Sequence, residues 1–97
     1  MTPQQAYEKA RASKRLPELE HIILNNAWHS YQYAFNIIKG RWIEAEDIIM
    51  NNSYAAYHYA LHIMKGKLPE KMHNMMILHG IKNPNNYCAK AYFKYIK

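Results

Sequence analysis

The 97-residue sequence holds one cysteine, three glycines, a single threonine and no valine. One cysteine excludes a disulfide framework and the four-cysteine zinc modules. Three scattered glycines, Gly40, Gly66 and Gly80, leave no glycine-rich loop to cradle a phosphate. The near absence of Val and Thr removes the commonest strand formers. Acid is also short: seven Asp and Glu stand against thirteen Lys and Arg, for a formal net charge of +6. Such an excess of base directs attention to nucleic acid or another anionic surface. Long apolar runs are missing too. The uncharged stretch of residues 48–64 contains Asn51, Asn52, His58 and His62, so it makes a poor membrane span, and no membrane partner is expected. No charged segment followed by an apolar core opens the chain, so the expected location is the cytoplasm.

What is present is repetition. Residues 16–41 read LPELEHIILNNAWHSYQYAFNIIKGR, and residues 42–67 read WIEAEDIIMNNSYAAYHYALHIMKGK. Aligned without a gap they share Glu18/Glu44, Glu20/Glu46, Ile22/Ile48, Ile23/Ile49, Asn25/Asn51, Asn26/Asn52, Tyr31/Tyr57, Tyr33/Tyr59, Ala34/Ala60, Ile37/Ile63, Lys39/Lys65 and Gly40/Gly66. A third unit starts at Leu68-Pro69-Glu70, echoing Leu16-Pro17-Glu18, and then diverges, with about six extra residues around His79 to Asn85. Tyr7 and Arg15 precede Tyr33 and Arg41 by one repeat length, which marks a half unit at the start. The expected organisation is one domain over 1–97: a half unit 1–15, then units 16–41, 42–67 and 68–97.

Each unit reads as two short helices. Ala45, Ile48, Ile49 and Asn52 sit at i, i+3, i+4, i+7. Pro17 and Pro69 suit a first helical position, and the repeated glutamates fall in the first turn, where the helix dipole favours acid. The Asn-Asn pairs break one helix and cap the next. Gly40 and Gly66 are the expected stops of the second helices. Thr2-Pro3-Gln4-Gln5 has capping-box spacing for a helix through about Ser13. Gly80 with Asn83-Pro84-Asn85-Asn86 predicts a long loop before a last helix, Tyr87 to Ile96. The expected fold is all-α, a short solenoid of about seven helices whose stacked units make a shared core. In the second helices, Tyr31, Ala34, Phe35, Ile38 and Tyr57, Ala60, Leu61, Met64 form the expected buried stripe, widened by Tyr33, Ile37, Tyr59 and Ile63. His29, Gln32, Asn36, Lys39 and Ala55, His58, His62, Lys65 form the expected wet ridge.

The run Ile38-Lys39-Gly40-Arg41-Trp42-Ile43-Glu44-Ala45-Glu46, followed by Ile48-Ile49-Met50 and Tyr57-His58-Tyr59-Ala60, resembles a tandem-repeat motif of small helical proteins from tailed phages and some bacteria, written IKGRWPEAE…IM…YAYYYA. Ile43 stands where that motif has Pro, and the third unit lacks Gly-Arg-Trp. The likeness covers 16–67 well and 68–97 loosely. It implies a helical repeat and a phage origin, hence the host cell cytoplasm, and it carries no functional residues over.

Candidate chemistry is thin. His58 and His62 have metal-ligand spacing on one helix face, but Gln32 and Asn36 occupy the matching places in the first unit, so an exposed polar ridge is the favoured reading and no metal is expected. Cys88 is read as a small buried hydrophobe rather than a nucleophile, since no base accompanies it in sequence. The glutamate pairs recur in both units, which suits a structural rule better than a single active site. Tyr31 and Tyr57 are read as packing residues, with Tyr87, Tyr92 and Tyr95 less enclosed and able to stack bases. Met64, Met72, Met75 and Met76 are either gap-filling core or an adaptable contact surface. No catalytic residue, cofactor or enzymatic activity is expected.

The divergent third unit is where a specific contact is expected: His73, Met76, His79, Lys82, Tyr87, Lys90, Lys94 and Lys97 are the candidate partner-binding residues. The leading expectation is a non-enzymatic inhibitor or adaptor that covers a host or defence protein. The alternative is RNA or DNA binding through basic terminal helices. Self-assembly into a homo-oligomer is a third option. The charge bears on this choice. Residues 1–15 hold Lys9, Arg11, Lys14 and Arg15 against Glu8, and residues 82–97 hold four lysines and no acid, whereas the middle is nearly neutral.

Overall fold

The computed structural model describes residues 1–12 and 15–97, and among them the chain is all helix with no strand. The helices are α1 (Pro3–Arg11), α2 (Pro17–Ile23), α3 (Ala27–Tyr33), α4 (Ile43–Ile49), α5 (Ser53–Tyr59), α6 (Glu70–Lys82) and α7 (Tyr87–Tyr95). One π-helical turn, Ala34–Ile38, prolongs α3, and another, Ala60–Met64, prolongs α5.

The local signals explain these boundaries. The Thr2 hydroxyl accepts from the Gln5 N–H at 3.1 Å, and the Gln5 side chain accepts from the Thr2 N–H at 2.9 Å, which closes the capping box. The helix it starts ends at Arg11; the expected end at Ser13 lies outside the described residues. Each Asn-Asn pair works in both directions. Asn51 Nδ2 donates to the Asp47 carbonyl behind it at 3.1 Å, while Asn52 Oδ1 accepts from the Ala55 N–H ahead at 3.0 Å. Asn25 and Asn26 do the same around α2 and α3, and Asn86 caps α7 through the Ala89 N–H. Pro17 takes the first position of α2, whereas Pro69 is the cap residue of α6.

Three expectations need correction. The residues in left-handed backbone are Lys39 (φ 61°) and Lys65 (φ 54°), and neither Gly40 nor Gly66 has positive φ. The reason is the π turn. Its closing bonds run from Lys39 N and Gly40 N to the Ala34 carbonyl, five and six residues back, which puts the left-handed residue at Lys39. Secondly, α6 has 13 residues where α4 has 7, so the expected long loop at Gly80 is helix and the loop is confined to residues 83–86. Gly80 lies inside α6, and a Cβ there would meet Ala89 Cβ at 3.7 Å, an ordinary contact. Thirdly, Ala55 is fully buried and Phe35 is 43% exposed, the reverse of the expected stripes. Helix α5 has α3, α4, α6 and α7 around it, which covers Ala55, while Phe35 rides the outer edge of the π turn.

The helices pack in sequence order. Helices α1, α3, α5 and α7 lie against one another in turn, and α2, α4 and α6 bridge their neighbours. A single apolar cluster runs through the stack from Ala6 to Tyr92. Ile23 and Ile49, one repeat apart, are both fully buried, each contributing about 1.5–3 kcal/mol. Trp42 fills the space between the first two units, its ring 4.9 Å from that of Tyr33.

Candidate functional site

Three fully buried tyrosines, Tyr33, Tyr59 and Tyr92, tie each second helix to the start of the first helix in its unit. Residues 16, 42 and 68 are one repeat apart, and helix starts leave N–H groups without partners. The Tyr33 hydroxyl accepts from Leu16 N at 3.0 Å and donates to Glu20 Oε2 at 2.7 Å. The Tyr59 hydroxyl accepts from Trp42 N at 3.0 Å and donates to Glu46 Oε2 at 2.6 Å. Arg15 and Arg41 then grip Glu20 and Glu46 with two nitrogens each. Burial and the bond to Glu20 push the Tyr33 phenol up to about 12, and burial and the bond to Glu46 raise Tyr59 as well. Burial opposes ionisation of Glu20, but hydrogen bonds from Arg15 and Tyr33 outweigh it and hold the carboxyl below its ordinary value. Both oxygens of each glutamate are engaged within the fold. In the third unit the tie has a different acceptor: Tyr92 accepts from Leu68 N at 3.0 Å and donates to His73 Nδ1 at 2.7 Å. Lys67 stands at the repeat position of Arg15 and Arg41, and burial followed by the Lys67 charge lowers the His73 pKa, which keeps the ring a neutral acceptor.

The eight candidate partner residues therefore separate. His73 is half-buried in the Tyr92 tie, His79 Nε2 donates to the Met50 carbonyl at 2.9 Å, and Met76 lies fully inside the core. Lys82, Tyr87, Lys90, Lys94 and Lys97 are exposed, Tyr87 by 76%. On α7, Tyr87, Lys90 and Lys94 follow i, i+3, i+7 and share one stripe. Helix α6 has two unlike faces. Met72 and Met76 face inward, and Ile77, Leu78 and Ile81 face outward, with Ile81 69% exposed.

A second surface was also missed. Along the seam of α3 and α5, Tyr54, Trp28, His58, His62 and Phe35 form a chain of rings over Tyr31. Centroid separations are 5.0 Å for Tyr54–Trp28, 5.7 Å for Trp28–His58, 5.6 Å for His58–His62 and 5.4 Å for His62–Phe35. Tyr54, His62 and Phe35 are exposed, Trp28 and His58 half-buried. The aligned Trp28/Tyr54 pair and the i, i+4 histidines were the available signal; polarity alone had assigned the histidines to a wet ridge. At one end of the strip a hollow of about 270 Å³ is lined by Phe35, Lys39, Gly40, His62, Ile63 and Lys65. At the other end Trp28 borders a hollow of about 600 Å³ that is also lined by Gln4, Tyr7, Glu8, Arg11, His29, Gln32 and Asn36.

The His58 and His62 rings stack, and among the described residues no group of three or more His, Cys, Asp or Glu side chains gathers. Burial pushes the Cys88 thiol up, away from the reactive thiolate. Among the described residues no helix is long and apolar enough to cross a membrane. Comparison with family models, with curated proteins and with solved structures finds no match to this chain.

Proposed function

We propose that the chain is a non-enzymatic protein-binding module that inhibits or recruits its partner by covering a surface. The contact lies on α6 and α7. The observation that carries this reading is the outward row Ile77, Leu78 and Ile81 on α6, with Tyr87 opening α7. Large apolar side chains that face water and that no helix of the described residues covers suit contact with a second surface. Lys82, Lys90, Lys94 and Lys97 give this end a basic rim, so the partner presents an apolar depression bordered by acid. The binding reading is further supported by the engagement of Glu20, Glu46, His73 and His79 in bonds within the fold. The resemblance to small phage repeat proteins makes a host or defence protein in the infected cell the partner we favour, with the stack acting as a short solenoid scaffold. Isolation of the tagged chain from bacterial cells tests this. Wild type should recover a protein in stoichiometric amount, and Ile81→Glu should not; recovery of nucleic acid alone contradicts the reading.

A further inference from the structure

The seven acidic residues are unevenly divided between the two sets of helices. Helices α3, α5 and α7, with the π turns, contain no Asp or Glu, and α1 contains only Glu8. The acids Glu18, Glu20, Glu44, Glu46, Asp47 and Glu70 all lie on α2, α4 and α6. The ring strip therefore lies on helices without acid. Lys39 and Lys65 border its end, and neither enters the three ion pairs among the described residues.

Those two lysines occupy left-handed backbone, a place that glycine fills at lower cost. The glycines that follow are not required by packing, since a Cβ on Gly40 or Gly66 would meet nothing within 4 Å. The sequence thus puts a charged side chain at the strained position twice, where the fold alone would favour glycine. Both side chains line the same hollow as Phe35 and His62.

We propose that the α3–α5 seam binds single-stranded nucleic acid, with bases stacked on Tyr54, His62 and Phe35 and the backbone phosphates held by Lys39 and Lys65. Tyr54, His58 and His62 lie at i, i+4, i+8 on the α5 segment and span about 12 Å of helix, the length of about three stacked bases. Aromatic faces accept any base, and a double helix hides the faces that such a platform needs. Beside Trp28, the larger hollow offers Gln32, Asn36 and Arg11 to base edges and phosphate, with Glu8 the one acid in its lining. The seam is distinct from the α6–α7 surface, so this inference stands or falls separately from the proposed protein contact.

The test is fluorescence anisotropy with labelled 12-residue oligothymidylate and oligouridylate, and a DNA duplex of equal length, in about 50 mM salt. The single strands should bind more tightly than the duplex, and the thymidylate and uridylate arms distinguish DNA from RNA preference. The exposed-ring variant Phe35→Ala/Tyr54→Ala should lose about tenfold or more, with unchanged helical circular dichroism. The variant Lys39→Gln/Lys65→Gln should flatten the slope of log affinity against log salt by about 1.4, which reads the phosphate contacts even if the ring variant fails to fold. Equal binding of duplex and single strand that survives both variants but vanishes on Lys90→Glu/Lys94→Glu/Lys97→Glu would overturn the proposal. So would undetectable binding of every oligonucleotide, or capture at the seam of a protein while the oligonucleotides stay free.

Discussion

The Tyr59 hydroxyl lies 2.6 Å from Glu46 Oε2 while accepting the Trp42 N–H at 3.0 Å, so one buried phenol satisfies a helix start and a nearly buried carboxylate together. Its loss leaves a buried N–H without a partner and removes a donor from a charged acceptor. Tyr59→Phe should therefore lower stability by about 2–4 kcal/mol. Tyr33→Phe should cost less, because Glu20 is more open to water than Glu46. Urea unfolding midpoints at neutral pH check both values and their order.

The same ties set the pH range of stability. Tyr33 is raised from 10.0 to about 12, and Tyr59 and Tyr92 are raised too, so the fold favours the neutral phenols. Their contribution is complete below the ordinary value and is lost as pH climbs through the folded values. On the acid side, burial and then the neighbouring His62 lower His58, and burial and then Lys67 lower His73. Stability from these neutral rings is present above 6.5 and falls as pH drops below it. Glu20, also lowered, adds a further loss as pH falls below 4.5. Melting temperature should plateau between about pH 7 and 10 and decline on both sides. Tyr33→Phe/Tyr59→Phe should blunt the alkaline decline.

Strain at the π-turn ends gives a prediction of opposite sign. Lys39→Gly and Lys65→Gly relieve a left-handed non-glycine residue but add freedom to the unfolded chain, so each should raise stability by about 0.5–1 kcal/mol. Equivalent changes at Gly40 or Gly66 act elsewhere: Gly40→Ala meets open space at ordinary φ and should be neutral or slightly stabilising. Thermal unfolding of the four single variants separates the two positions.

Much of the fold was legible because its determinants are local and occur twice. The Asn-Asn pairs, Pro17 and the Thr2 box mark helix ends through bonds that span at most four residues. The Tyr33–Glu20 and Tyr59–Glu46 bonds were less legible, since they span 13 residues, yet all four residues were among the repeat identities. The π turns were hidden, because no residue type in Ala34–Ile38 requires the wider turn. That hidden turn displaced the cap from Gly40 to Lys39 and turned Phe35 outward. In the third unit Gly80 read as loop although α6 runs on to Lys82, while the Asn-rich residues 83–86 form the loop that they signal.

The outward row on α6 predicts a separation of stability from binding. Ile81 is largely exposed in the isolated chain, so Ile81→Glu should change unfolding free energy by no more than about 0.5 kcal/mol. Leu78→Glu should behave similarly. Both should lose the recovered partner. A buried control, Met76→Ala, should cost about 2–5 kcal/mol and reduce folded protein instead.

The most direct measurement is amide hydrogen exchange on the complex recovered from cells by the tagged wild-type chain, compared with the free chain. The account predicts slower exchange on partner binding across residues 77–97, at the Ile77–Ile81 face and along α7, with α2 and α4 unchanged. Slowing confined to α1 through α4, with residues 77–97 unaltered, would contradict it.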